Sequence, residues 1–218
     1  MQPFQQDFED RKRHVRHYLA VVTAAERNFD KNKSQALEGQ LLVLRAGTFL
    51  VLYNLVEATT RAAIDAIHDK ITTSGVCFSD LILSLRKEAI RLFKRGANPS
   101  TDHTWDDFHA AFVAIALEQR IALSGAVDAR AIRELGVRYG FSCDTNRAVT
   151  RDGSDLVRIK SNRNDLAHGI KTFEEVGRDI TALELLLLTR RSMRYMSGVL
   201  NNIGLYLDNE EYLEKAAT

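Results

Sequence analysis

The sequence predicts an all-α fold, a helical bundle with two long helices and several shorter ones. The 218 residues include only two prolines, Pro3 and Pro99, so long helices are permitted almost everywhere. Apolar residues recur at spacings of three and four, which places them on one face of a helix. With 45% hydrophobic and 27% charged residues, the chain can bury a real core. We expect one domain over residues 1–218, with its core at about 5–207.

The N-terminal half predicts two successive helices. Residues 5–28 should form a charged first helix. Ser34 is then a plausible N-cap for a long helix over 34–71. The centre of this second helix is apolar nearly all round, which indicates burial on several sides. Two polar residues, Asn54 and Glu57, interrupt that centre. Glu57 could pair with an arginine one turn further on, or it could orient a functional side chain elsewhere.

Shorter helices are expected in the middle of the chain. Ser79 is a candidate cap for a basic helix over 80–95. Residues 96–103 carry the turn sequence Asn-Pro-Ser and should form a loop. Thr104 begins a capping box for a helix over 105–123, with Asp in place of the usual Glu.

The C-terminal part predicts one short helix, one loop and the second long helix. Asp128 should cap a helix that reaches about Tyr139, and Gly140 should end it. The polar segment 141–153 is expected to be a loop. Apolar residues at helical spacing then predict a long helix from about 173 to 207.

A polar run at 161–169 separates two apolar helical segments. An apolar stripe formed by Leu156, Ile159 and Leu166 passes through it, and Arg163 falls in the middle of that stripe. Such a position is unusual, because an unpaired buried charge costs several kcal/mol. His168 lies about 140° further round an ideal helix. The two side chains could therefore meet one phosphate only if the helix breaks near Gly169, or if a second copy supplies half of the site.

This inventory suits RNA cleavage without a metal. Attack of a ribose 2′-hydroxyl on the neighbouring phosphate needs a proton acceptor, a proton donor and a fixed cation. The imidazole of His168 can take either proton role. The guanidinium of Arg163 can grip phosphate oxygens and stabilise the charge that develops on them. Asn164 could position the motif or bind the substrate, and Asp165 could set the tautomer of His168 or cap the helix locally.

The run 163–168, Arg-Asn-Asp-Leu-Ala-His, resembles the signature of HEPN domains, which is Arg, four to six residues, then His. A polar residue directly after the arginine, here Asn164, is also typical of that signature. The segments 44–57 and 124–130, together with Tyr139-Gly140-Phe141, resemble a bacterial HEPN subgroup. The resemblance covers roughly residues 10–205. HEPN domains are all-helical and occur in prokaryotic toxins, phage-defence ribonucleases and some eukaryotic RNases.

The resemblance implies a metal-independent endoribonuclease, a toxin or phage-defence effector that acts as a homodimer with a composite active site. Its RNA substrate and a possible cognate antitoxin are the implied partners. Arg163 and His168 would be catalytic, and the supporting residues would be Asn164, Asp165, Glu57 and Asn54. Two alternatives stay open. The chain could be a non-catalytic module that binds RNA, nucleotides or protein. Alternatively, Arg163 could form a buried ion pair with a core acid such as Glu57, while His168 caps the helix.

The charge distribution supports a local contact with phosphate rather than a global one. A net charge of +1 gives no basic field over the whole molecule. Residues 147–171, however, contain six basic and three acidic side chains. Concentrated positive charge of this kind is what phosphate binding requires. From this segment we predict RNA contacts by Arg158, Lys160 and Lys171.

Cofactor, metal and membrane functions are not indicated. The two cysteines, Cys77 and Cys143, have no partners at metal-ligand spacing, so we expect free thiols and no cofactor. The N-terminus lacks the apolar core of a signal peptide. No uninterrupted apolar run approaches the ~20 residues that span a bilayer. The expected location is the cytoplasm.

Overall fold

The structure is a computed structural model that describes residues 1–96, 110–118, 123 and 125–214. Within these ranges the regular elements are helical, apart from an isolated bridge between Leu81 and Leu213. The predicted all-α fold class is therefore confirmed. The α-helices are α1 (Pro3–Asn32), α2 (Gln35–Thr73), α3 (Leu83–Gly96), α4 (Ala110–Glu118), α5 (Ala129–Tyr139), α6 (Arg147–Thr150), α7 (Asp155–Ala167), α8 (Phe173–Arg178) and α9 (Ala182–Asp208).

Three of these helices are long, rather than the two that we predicted. α1 has 30 residues and extends beyond the predicted 5–28 at both ends. Pro3 lies in its first turn, where a missing N–H costs no helical hydrogen bond. α2 has 39 residues and begins after Ser34, whose side chain accepts a hydrogen bond from the N–H of Leu37. The predicted cap of α2 is thus confirmed.

The predicted single helix over 173–207 is wrong, because the structure has two helices there, α8 and α9, with a short non-helical segment between them. Thr172 and Glu175 form one capping box, and Thr181 and Glu184 form a second. Each box satisfies N–H groups that have no partner inside a helix, and so each starts a helix of its own. The second box is visible in the sequence as Thr-x-x-Glu and was missed.

Two further boundaries differ from the prediction. The predicted loop 141–153 contains α6 and a 3-10 turn (Arg151–Gly153), because the side chain of Asn146 accepts the N–H of Ala148 and starts a helical turn. Ser79 does not cap α3. It lies in a 3-10 turn, and its hydroxyl donates to Asp80.

The remaining predictions for the middle of the chain fall partly within and partly outside the described residues. Gly96 is the last residue of α3 instead of the first of a loop. The rest of the predicted loop, 97–103, and the capping box at Thr104 lie outside the described residues. The predicted caps of α5 are confirmed, since Asp128 accepts the N–H of Ala131 and Gly140 adopts a left-handed conformation with φ +86°.

α2 is the centre of the bundle. It packs against α1, α4, α7, α8 and α9, and its middle turns are buried on several sides. Among the described residues it is the helix that is long and apolar enough to cross a membrane by length and composition, yet half of that apolar window is buried inside the protein. A central core helix has the same length and composition, and the packing of α2 fits that role.

Two ion pairs fix α7, the helix that carries the polar run. Its first residue, Asp155, accepts two hydrogen bonds from Arg191 of α9, at 2.5 and 3.0 Å. In its middle, Lys160 pairs with Asp128, the capping residue of α5. These side chains are largely withdrawn from solvent, with exposed fractions between 10 and 24%. α7 is therefore tied to two neighbouring helices on the N-terminal side of Arg163.

Candidate functional site

The guanidinium of Arg163 lies over the ring of Tyr53, with its central carbon 4.4 Å from the ring centroid. Tyr53 is a buried residue of α2, and its hydroxyl accepts the N–H of Val127 at 3.2 Å. The ring is thus fixed by burial and by the hydrogen bond to its hydroxyl, and it provides a rigid floor for the cation. Gly125 leaves room above this floor. A Cβ there would approach Nη1 of Arg163 to 3.3 Å, and the φ of +68° also favours glycine.

Arg163 has no acidic partner among the described residues. Its Nη1 donates to the side-chain oxygen of Asn164 at 2.9 Å, which is a neutral acceptor. Glu57, the carboxylate that we considered as a partner, pairs instead with Arg61 at 3.4 Å. The guanidinium is half-buried and keeps most of its donors unused. Such a group is prepared to receive an anion, whereas a structural arginine at this depth would be expected to have a carboxylate.

Glu57 belongs to the surroundings of the site through Tyr53. Burial is the main cause of the raised pKa of Tyr53, and the N–H of Val127 lowers it in part. The nearby carboxylate of Glu57 raises the same pKa, while the charge of Arg163 lowers it. Glu57 and Arg163 therefore both act on the phenol of Tyr53, and among the described residues no ion pair joins them.

His168 ends the motif helix. It is the capping residue after α7, and Gly169 follows with φ +66°. Gly169 donates to the carbonyl of Leu166 at 3.3 Å, and Ile170 donates to the carbonyl of Asp165 at 2.8 Å, which is a Schellman termination. The helix thus breaks at Gly169, one of the two arrangements considered from the sequence. The imidazole is exposed, and within the described ranges it has no side-chain hydrogen bond or ion pair.

Asp165 pairs with Lys171 at 3.0 Å, and within the described residues its side chain makes no hydrogen bond to His168. The hydrogen bond to Asp165 raises the pKa of the Lys171 ammonium. Through its backbone carbonyl, Asp165 also accepts the N–H groups of Ile170 and Lys171. Its position matches the local capping role rather than control of the His168 tautomer.

The other predicted site residues are placed apart from this group. Asn54 is exposed and accepts a hydrogen bond from Arg11 of α1 at 3.5 Å. Lys160 has its charge engaged by Asp128. Arg158 is exposed and donates to the carbonyl of Asp179 at 3.0 Å. The structure thus brings Arg163 and Asn164 together with Tyr53 and Glu57, and it leaves Asn54 and Lys160 outside.

Two residues of the site were not predicted. Tyr53 and Gly125 build the floor and the free space around Arg163, but both lie far from it in sequence. The sequence contained one signal for Tyr53, since it lies one helical turn before Glu57 on the same face of α2. Gly125 falls within the segment 124–130 singled out above, but that pattern does not predict its contact with Arg163. Among the described residues, no group of three His, Cys, Asp or Glu side chains could hold a metal ion.

Comparison with known protein families identifies the family of this chain. The family model described as HEPN_MAE_28990-like HEPN matches residues 2–212 of the chain. No curated protein and no solved structure gives a significant match.

Because Arg163 has no ion pair among the described residues, its removal should change the free energy of unfolding only slightly. Arg163→Met removes a stacked cation but breaks no ion pair, so the free energy of unfolding should change by no more than about 1 kcal/mol. Arg191→Met is the matched control, because it strands the half-buried carboxylate of Asp155 and should cost at least about 2 kcal/mol. Urea unfolding followed by circular dichroism measures both. An equal, large loss in both variants would assign Arg163 a structural role.

Proposed function

This chain belongs to the HEPN_MAE_28990-like HEPN family, and we propose that it is a metal-independent endoribonuclease. HEPN domains are often ribonucleases or nucleotide-binding domains. One observation carries the proposal for this chain. Arg163 is held on a buried aromatic ring with free donors and no carboxylate partner in the described part of the chain, and the exposed imidazole of His168 follows at the end of the same helix.

The proposed reaction is an intramolecular transesterification at a phosphodiester of the RNA. The ribose 2′-oxygen attacks the adjacent phosphorus and loses its proton to a neutral imidazole. The bond from phosphorus to the 5′-oxygen breaks, and that oxygen receives a proton from an imidazolium. The products are a 2′,3′-cyclic phosphate and a 5′-hydroxyl. Arg163 binds the phosphate oxygens and stabilises the extra negative charge of the transition state.

Each protein group has a defined task in this scheme. His168 transfers protons, and its exposed position after the helix end leaves both ring nitrogens open to substrate. The side-chain oxygen of Asn164 accepts a hydrogen bond from one guanidinium nitrogen and leaves the other donors for the phosphate. Tyr53 prevents the guanidinium from collapsing into the core. Glu57 supports Tyr53 and does not neutralise the cation.

A homodimer would complete the site. One copy supplies one histidine, whereas the reaction uses a base and an acid, so two copies would provide both. Exposed apolar side chains adjoin the motif in sequence, including Ile170 at 68% and Phe173 at 37% exposure. These side chains would be covered in a dimer formed at this end of α7. Arg158 and Lys171 would contact the RNA backbone, and Lys160 would serve to anchor α7.

The proposed role is that of a growth-arresting toxin or a phage-defence effector in the cytoplasm. Uncontrolled cleavage of RNA would harm the host, which gives a reason for restraint by an antitoxin. The support for this role is the family alone.

RNA cleavage in excess EDTA tests the proposed enzyme. Arg163→Ala and His168→Ala should each lower the cleavage rate by at least about 10²-fold, the usual scale for electrostatic and proton-transfer groups. His17→Ala and Arg27→Ala are matched controls, because both residues are exposed on α1, and they should retain the parent rate. Gel analysis of labelled RNA gives the rate, and circular dichroism confirms folding. RNA that is bound but not cut by the parent protein would contradict an enzyme and favour a binding module.

Growth of a bacterial host tests the proposed toxin role. Induction of the parent chain should arrest growth, and induction of His168→Ala at the same protein level should not. Equal growth of the two cultures would contradict the role.

A further inference from the structure

A second positively charged feature lies between α1 and α9, in a groove of about 360 Å³. The two helices run antiparallel, since Gln2 donates to Asp208 and Gln5 donates to the carbonyl of Leu200. No acidic side chain is among the described residues that line the groove. Its cations are Lys12, Arg16, Arg190 and Arg194.

Three of these cations carry uncompensated charge. Arg16, Arg190 and Arg194 are exposed, and within the described part of the chain they make no ion pair. Lys12 differs, because it pairs with Glu9 at 2.6 Å. The neighbouring Arg191 is also paired, with Asp155. Three free arginines in one groove form a strong local field in a protein whose net charge is only +1.

The spacing of the cations suits a chain of phosphates. Arg190 and Arg194 are one helical turn apart on α9, about 6 Å along the axis, and Lys12 and Arg16 have the same spacing on α1. Because the helices are antiparallel, the two pairs form two successive levels along the groove. This separation is close to that of neighbouring phosphates in a single strand, so consecutive phosphates could each meet one level.

The groove also has an apolar floor. Leu19 and Met193 are buried beneath the cations, and Leu186 lines the groove with 40% exposure. Apolar surface between two rows of cations can accept sugars and base edges while the arginines hold phosphates. A free inorganic anion would use none of this surface.

The groove is joined to the motif helix. Arg191, in the turn between the two groove arginines of α9, holds Asp155 at the start of α7. Arg163 follows eight residues later, about 12 Å along the helix axis. RNA held in the groove would therefore lie against a helix that is directly anchored to the motif helix, without occupying the motif.

From these observations we infer that the groove between α1 and α9 binds the sugar–phosphate backbone of single-stranded RNA outside the cleavage site. This inference rests on the proposed function in one respect, since it takes RNA as the substrate. The groove supplies affinity and the motif supplies chemistry, so the two can be separated by experiment.

Binding of a short labelled single-stranded RNA tests the groove. The full chain with His168→Ala is the background, in EDTA, and fluorescence anisotropy is measured over a range of salt concentrations. Adding Arg16→Gln, Arg190→Gln and Arg194→Gln should lower the affinity at least about 10-fold, and the slope of log K against log salt should decrease by about 2. The matched control neutralises three exposed cations elsewhere, Arg27, Lys31 and Arg95, and should bind within about twofold of the background.

Several outcomes would overturn the inference. One is that the groove variant binds RNA as tightly as the background protein. Another is that the groove and control variants lose RNA affinity equally, because the loss would then reflect the net charge of the protein rather than the groove. Loss of binding to anionic phospholipid vesicles with unchanged RNA affinity would assign the groove to a membrane surface instead. Should the triple variant unfold, Arg190→Gln with Arg194→Gln should still decrease the slope by about 1.

The outcome can be distinguished from failure of the proposed enzyme. With His168 restored, the groove variant should require more RNA for half-maximal cleavage but reach the parent rate at saturation. If the groove arginines are needed for RNA binding but the parent protein never cuts RNA, the proposed ribonuclease activity is contradicted and the groove inference is not. If the groove variant cleaves RNA as the parent does at every RNA concentration, the groove inference is contradicted and the ribonuclease activity is not.

Discussion

The site depends on the contact between the guanidinium of Arg163 and the ring of Tyr53. A half-buried arginine ordinarily needs a carboxylate, because the cost of removing it from water must be offset. Here an aromatic face and the amide oxygen of Asn164 support the cation without neutralising it. Glu57, the acid on α2 that was considered as its partner, is engaged by Arg61. The positive charge of Arg163 is therefore available to an anion from outside the protein. This availability is what a phosphate-binding site requires.

The rest of the bundle holds that contact in place. α2 is buried on several sides and presents Tyr53 at a fixed position. α7 is tied to α9 through Arg191 and Asp155, and to α5 through Lys160 and Asp128. α7 then ends at Ala167, and the exposed His168 and the left-handed Gly169 terminate it. Anchoring before the motif and termination after it give one rigid charged residue and one accessible proton carrier, which is a suitable division of tasks for acid–base chemistry on a bound phosphate.

Local signals in the sequence predicted much of the fold. Contacts between residues far apart in the sequence could not be predicted from such signals. Ser34, Asp128 and Gly140 each act within a few residues, and their capping roles were predicted correctly. The break before α9 was missed because apolar periodicity outweighed the capping box at Thr181. The floor of the site joins α2 to α7 across more than a hundred residues, so no local pattern could indicate it. The same holds for the arginines of α9, which look alike in sequence. Packing alone decides that Arg191 is paired while Arg190 and Arg194 line a groove.

The central claim is that Arg163 and His168 of two copies form one phosphate-handling cleft. Co-expression of the parent chain and a His168→Ala chain with different affinity tags, followed by purification through both tags, isolates a mixed dimer with one intact His168. Because the shared cleft uses one histidine from each copy, the account predicts that this mixed dimer cleaves RNA at least about 10²-fold more slowly than the parent dimer. A mixed dimer that keeps about half of the parent rate would contradict the shared cleft, since each intact copy would then cleave RNA on its own.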